Sequence, residues 1–359
     1  MKRQTKIRTR TRMKETMSMT DDAVLGTAFD AIGFDLDGVV YRGPVAVPGA
    51  PEAINELRRR GVRLGYVTNN AQRPPATIAD QLIGFGIDCE ADDIVTSAQA
   101  TAYLMGDELP DGAEVLIVGS PGLADEIAAV GLKPTFERSA STAAIIVGFE
   151  PTLTWDDLNE GCYAVQAGAR YYACNDDLTR PSDKGIAVGT GAVLLAMRQP
   201  LGIAPTMGGK PARPLLDEAR RRLGAQRPLL VGDRLDTDIE GARNAGWASL
   251  FVLSGAHGLA ELLVAPPGQR PDYLTADVSG LLEPPRVAVA VEGGWRCGDA
   301  MAQVASDLVV TLEGPRETLP QQLDAWWAVA NLVWQRADND LAVDLHRVGQ
   351  PPSNTRLGQ

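Results

Sequence analysis

From about residue 28 onward, short apolar runs alternate with stretches in which apolar residues recur every three to four positions. That rhythm predicts βαβ units. "AIGFDLD" (31–37) reads as a strand, and "GAPEAINELRRRG" (49–61) as an amphipathic helix ended by Gly61. "VRLGYVTNN" (62–70) is a second strand, followed by a helix opening at Pro74-Pro75. "DDIVTSAQATAYLM" (92–105) gives a strand-like entry and another helix. A second α/β stretch starts near Ala113 with strand "AEVLIVG", helix "GLADEIAAVG", strand "AAIIVGF", helix "TWDDLNEGCYAVQAG" and strand "RYYACN". After "MGGKP" the rhythm resumes with helix "ARPLLDEARRRLG", strand "RPLLVGD", helix "TDIEGARNAG" and strand "ASLFVLS", then "RPDYLTADVSGLL". Pro284-Pro285 closes it. The remainder predicts strands "RVAVAV" and "DLVVTL", then the helix "LPQQLDAWWAVANLVWQRA".

The pattern predicts an α/β protein: a Rossmann-like parallel-sheet core with an inserted α/β unit and a small C-terminal β-β-α extension. The expected boundaries are a tail over 1–27, core over 28–112 and 206–285, the insert over 113–205, and the extension over 286–359. A module as small as the last rarely holds a core alone, so it is expected to dock on the main body or another subunit. Trp295, Trp326, Trp327 and Trp334 lie in it, and core packing is their simplest use. Self-association through the insert or the extension stays open.

Charge narrows the partners. The chain of 359 residues carries a net charge of −12, against a general nucleic-acid binder. No apolar run reaches the roughly 20 residues of a membrane helix. The first twenty residues differ: Lys2, Arg3, Lys6, Arg8, Arg10, Arg12 and Lys14 face Glu15 alone. Without an apolar centre this head is not a secretory signal, and it reads as a basic disordered tail. Cys89, Cys162, Cys174 and Cys297 show no paired spacing, which fits reduced thiols and a cytoplasmic setting. With only His257 and His346, mechanisms built on histidine pairs or His/Cys zinc cages drop out.

The chemistry gathers where strands give way to loops. Asp35 and Asp37 leave the first strand on one side of an extended backbone, and Gly38 would also allow a plain Asx-type turn. Thr68, Asn69 and Asn70 leave the second strand, and Lys210 follows Gly208-Gly209. Asp233 ends a buried-looking strand, with Asp236 and Asp238 following as a helix begins. Singly these could be caps and solvated charges. Together they fit phosphoryl transfer, which needs an in-line nucleophile and positive charge on the equatorial oxygens. A divalent metal would quench repulsion between carboxylate and phosphate, and hard oxygen ligands select Mg²⁺. One leading aspartate would form an aspartyl-phosphate, and the other would protonate the leaving oxygen and later deprotonate water.

"DLDGVVY", "VTNN", "GGKP" and "GDRLDTDI" resemble, in order, the four motifs of the haloacid dehalogenase superfamily. They resemble most its NagD-type, p-nitrophenyl phosphate and phosphoglycolate phosphatase branch, over about residues 30–283. The finer likeness is to actinobacterial glycerol 3-phosphate phosphatases. The resemblance implies Asp35 as nucleophile, Asp37 as general acid/base, and Thr68 and Lys210 as phosphate clamp supported by Asn69. It implies metal ligation by Asp35, the Asp37 carbonyl and Asp233, with Asp238 as ligand or supporting partner. It makes the insert a cap restricting the site to small phosphorylated metabolites. The substrate loop would be Cys174 to Gly185, offering Asn175, Asp176, Asp177, Arg180 and Lys184. Inward carboxylates or Asn175 would favour glycerol 3-phosphate, and inward Arg180 or Lys184 would favour phosphoglycolate. Other readings are a phosphatase of nucleotides or sugar phosphates, C–Cl or C–P cleavage, or a non-catalytic binding module on the same fold.

Overall fold

The computed structural model describes residues 24–182, 184–305, 308–345 and 348. The basic head up to residue 23 and His346 lie outside them. Where the tail was expected to run to residue 27, Leu25–Ala28 instead form a 3₁₀ turn. Leu25 is buried in the core, and its N–H donates to Glu283 O at 2.8 Å. One apolar side chain suffices to draw this short segment onto the body.

Six parallel strands form the main sheet, in the order Tyr273–Thr275, Ala248–Val252, Pro228–Gly232, Ala31–Phe34, Arg63–Thr68, Ile94–Thr96. Ala31–Phe34 and Pro228–Gly232 are buried throughout, as continuous apolar runs in a sheet covered on both faces should be. Among the covering helices, Ala50–Arg59 shows the sequence logic. Gly49 stands before it in a left-handed conformation, Pro51 opens it, and Arg58 and Arg59 sit at the negative end of its dipole. Ala50, Ala53, Ile54 and Leu57 form its buried face.

Five parallel strands form a second sheet, in the order Thr206–Met207, Arg170–Ala173, Thr142–Val147, Glu114–Val118, Lys133–Thr135. Thr206–Met207 falls on the core side of the boundary expected at 205/206, yet it pairs with Tyr172 and Ala173 of this sheet. A hairpin, Thr179–Ser182 with Gly185–Val188, stands off the sheet.

The C-terminal extension holds more than a β-β-α unit. The two expected strands appear as Val289–Val291 and Val310–Glu313, with Gly294–Cys297 and Ala300–Val304 between them in one antiparallel sheet. The inner pair was missed because Gly293-Gly294 and Cys297-Gly298-Asp299 interrupt any alternation, and these same breaks are the turns. The helix Leu319–Ala337 docks on the main body. Trp326, Trp327 and Trp334 pack there with Phe251, Leu262 and Leu274, so the tryptophans are core.

Candidate active site

The first strand ends at Phe34, and Asp35 keeps one further ladder bond, its N–H donating to Val231 O at 2.9 Å. The chain then turns: the N–H groups of Val39, Val40 and Tyr41 all point at Leu36 O. Gly38 makes the turn at φ +91°, and a Cβ there would fall 2.4 Å from Asp233 Oδ2. Glycine is required by both conformation and space. The Asp-Leu-Asp-Gly tetrad is therefore a turn and a site at once.

Lys210 anchors the centre. Its buried ammonium bonds Asp35 Oδ1 at 2.6 Å, Asp238 Oδ1 at 2.7 Å and Val67 O at 3.1 Å. All three of its protons are thus committed. Burial alone would depress its pKa, but Asp238 and Asp35 hold it above the ordinary lysine range. Asp35, Asp233 and Asp238 bring carboxylate oxygens within 4.8 Å of one another. Burial pushes Asp35 well up against the pull of Lys210, with Asp238 and Asp233 adding to the rise. Asp233, raised first by burial and then by Asp238, reaches about 7. Three close acids with one lysine leave uncompensated negative charge, and their hard oxygens fit Mg²⁺.

Asp233 is bracketed by a loop. Ala256 N–H donates to its Oδ2 at 2.6 Å and His257 N–H to its carbonyl at 3.2 Å. Gly255 passes so close that a Cβ would lie 1.9 Å from Oδ2. Asp238 Oδ2 accepts from Arg234 N–H at 3.0 Å. Asp236 stays out of the cluster, paired with Arg234 at 2.8 Å. Asp37 is exposed to solvent, yet the surrounding protein raises its pKa by desolvation, while Arg73 and Lys210 pull it down.

Thr68 is buried at the end of its strand, and its Oγ1 accepts from Asn70 N–H at 3.1 Å. Asn69 works as a bracket. Its Oδ1 accepts from Lys210 N–H at 2.8 Å, and its Nδ2 donates to Lys210 O at 3.0 Å and Asp177 Oδ2 at 3.4 Å. Asn70 Oδ1 accepts from Gln72 and Arg73 N–H, shaping the following turn.

The expected substrate loop divides. Asn175 is buried, its amide donating to Asn69 O at 2.8 Å and its Oδ1 accepting from Asp177 N–H. It ties the insert to the core. Arg180 lies over the Phe149 ring, 4.3 Å from its centroid. Asp176 and Lys184 are exposed. Asp177 is half-buried and its Oδ2 accepts from Asn69 Nδ2 at 3.4 Å; burial raises its pKa, and Arg234, Asn69 and Lys210 draw it back. Arg73, beside Asp37, and Arg234, facing Asp177, were missed. Their only signal was adjacency to the motifs, in "NNAQR" and "GDR".

A family model described as haloacid dehalogenase-like hydrolase matches residues 32–133, and a second, HAD-hydrolase-like, matches 207–281. The chain is 38% identical over 322 residues to D-glycerol 3-phosphate phosphatase of Mycobacterium tuberculosis, covering 89% of this chain and 88% of that protein. The chain belongs to the haloacid dehalogenase-like hydrolases. A crystal structure of glycerol phosphate phosphatase from M. tuberculosis in complex with magnesium superposes with a TM-score of 0.79. It shares 37% identity over 87% of this chain and 92% of that one. The 5'-nucleotidase YutF of Bacillus subtilis is 33% identical over 62% of this chain and 86% of its own. This haloacid dehalogenase-like hydrolase is a phosphatase, with an acid cluster suited to Mg²⁺. Among its described residues no helix is long and apolar enough to cross a membrane.

Proposed function

We propose that the enzyme hydrolyses glycerol 3-phosphate, ahead of phosphoglycolate, through an aspartyl-phosphate on Asp35. Asp35, with one oxygen held by Lys210, uses the other to attack phosphorus. The bond from phosphorus to the leaving oxygen breaks, and Asp37 gives that oxygen its proton. Asp37 then takes a proton from water, whose oxygen attacks the phosphorus. The bond to Asp35 breaks, releasing inorganic phosphate. The raised pKa of Asp37 suits it to carry that proton. The Thr68 hydroxyl orients the phosphate, joined by Lys210 once the N–H now on Val67 O turns to a phosphate oxygen, and Asn69 supports both Lys210 and the loop that bears Asp177. Asp35, the Asp37 carbonyl and Asp233 would hold Mg²⁺, with Asp238 beside them, and the ion supplies charge neutralisation between nucleophile and phosphate. The insert acts as the cap, and its tie to Asn69 supports that reading. The four cysteines, all unpaired and buried, support a cytoplasmic setting.

One observation carries the substrate choice. The Asp177 carboxylate is held by Asn69, the residue that also brackets Lys210, while Arg180 is turned onto Phe149. A carboxylate accepts a glycerol hydroxyl and repels the carboxylate of phosphoglycolate. Asp177→Asn should lower kcat/KM for glycerol 3-phosphate by about 10-fold, the worth of one hydrogen bond to a charged group. It should raise kcat/KM for phosphoglycolate, and Arg180→Ala should leave the ratio unchanged. A wild type that prefers phosphoglycolate, or a ratio insensitive to Asp177→Asn, refutes the assignment.

A further inference from the structure

The extension takes no part in the chemistry above, yet it stands directly behind the acids. Leu235 and Ile239 alternate with Asp236 and Asp238, and both are buried in one apolar cluster with Leu259, Leu262, Trp327 and Trp334. The acid segment is also gripped by the loop before helix Leu259–Leu263. Besides the two bonds to Asp233, that loop takes Leu235 N–H on His257 Nδ1 at 3.0 Å. Three hydrogen bonds therefore set where Asp233-Arg234-Leu235 lies relative to residues 256 and 257.

The anchor of this loop is weak by itself. Helix Leu259–Leu263 has five residues, too few to persist without tertiary support. Support comes from the extension. Trp334 Nε1–H donates to Leu262 O at 2.9 Å in a buried bond. The Trp334 ring stands edge-on to Trp327 at 5.5 Å, and the Arg270 guanidinium lies 5.5 Å from the Trp334 centroid. Arg270 Nη1 in turn donates to both carboxylate oxygens of Asp338, at 2.7 and 2.8 Å. Each link is fixed by geometry, and the chain runs from the extension helix through one short helix to Asp233.

We propose that Trp334 is a positioning residue for Asp233, and that the extension thereby tunes metal affinity. The inference rests on the acid cluster being the metal site. Groups one contact removed from a metal ligand typically change affinity 10- to 100-fold, and Trp334 acts one step further out. Trp334→Phe keeps an aromatic ring but removes the N–H, so Leu262 O retains its bond from Ala265 N–H at 3.2 Å and loses its tie to the extension.

The test is calorimetric titration of Mg²⁺ into the full chain: wild type, Trp334→Phe, Asp338→Ala and, as control, Asp233→Asn. Trp334→Phe should bind Mg²⁺ roughly threefold or more weakly. KM for substrate at saturating Mg²⁺ should stay at the wild-type value. Asp338→Ala should shift affinity in the same direction by less, and it carries the test alone should Trp334→Phe not fold. Variants with a lowered melting temperature but wild-type Mg²⁺ affinity overturn the proposal, because a merely structural role predicts that result. A control Asp233→Asn that binds as tightly as wild type overturns the acid-cluster reading itself, a separate failure.

Discussion

Lys210→Met separates charge compensation from shape, since methionine fills most of the same volume without the ammonium. Two carboxylates lie at 2.6 and 2.7 Å from Nζ. At an effective dielectric of about 20, each such pair is worth about 6 kcal/mol of gross Coulomb attraction. Desolvation of the buried ions consumes much of this, and breaking a buried pair by deleting one partner costs about 3–5 kcal/mol. That is a large share of a stability of about 5–15 kcal/mol. The loss should depend on pH with a defined sign. Without Lys210 the Asp35 carboxyl, already raised by burial, rises further, so the folded state binds protons that the unfolded state releases. The deficit against wild type should therefore shrink as pH falls from about 8 to about 5. Mg²⁺ should stabilise the variant by binding the folded form. Urea unfolding at several pH values, with and without Mg²⁺, reads all three effects. A deficit under about 1 kcal/mol at pH 8, the range of an exposed ion pair, would refute the reasoning.

Asp35→Asn should fold normally and lose about 10³-fold or more of its turnover, read by phosphate release beside a circular dichroism melt. Asp37→Asn should slow both formation and hydrolysis of the aspartyl-phosphate by about 10²–10⁴-fold, seen in single-turnover kinetics. Loss of Mg²⁺ affinity with intact catalysis at saturating metal would reassign Asp37. Away from the site, burial alone would raise the pKa of Glu218, but bonds from Arg221 and Arg222 hold it below the ordinary range. Glu218→Gln should cost about 1 kcal/mol at pH 7, a gap that closes as pH falls below about 4. An equal gap at pH 7 and pH 3 would count against this pairing.

The site was legible where chemistry coincides with a strand end. Asp35, Thr68 and Asp233 each close a buried apolar run, and a linear reading finds that transition. Lys210 was legible through Gly208-Gly209, which let the chain pass Thr101 and Cys174 closely. The orientation of the side chains over residues 174–185 was not legible. Asn175 and Asp177 both take their places from Asn69, 106 and 108 positions away. No local propensity encodes such a contact. The same holds for Arg180, whose partner Phe149 lies on another strand end. The inner strands of the extension were hidden differently, by glycines that erase the period of two on which strand reading depends.

The order of the main sheet also governs how the chain can be made. Ala31–Phe34 pairs on one side with Arg63–Thr68, soon available, and on the other with Pro228–Gly232, roughly 200 residues later. At synthesis rates of about 5–20 residues per second, that edge waits about 10–40 seconds on the ribosome. The second sheet, drawn wholly from residues 114 to 207, is complete before its host is. The nascent enzyme thus carries a finished second sheet on a half-built core whose open, apolar strand is a template for wrong partners.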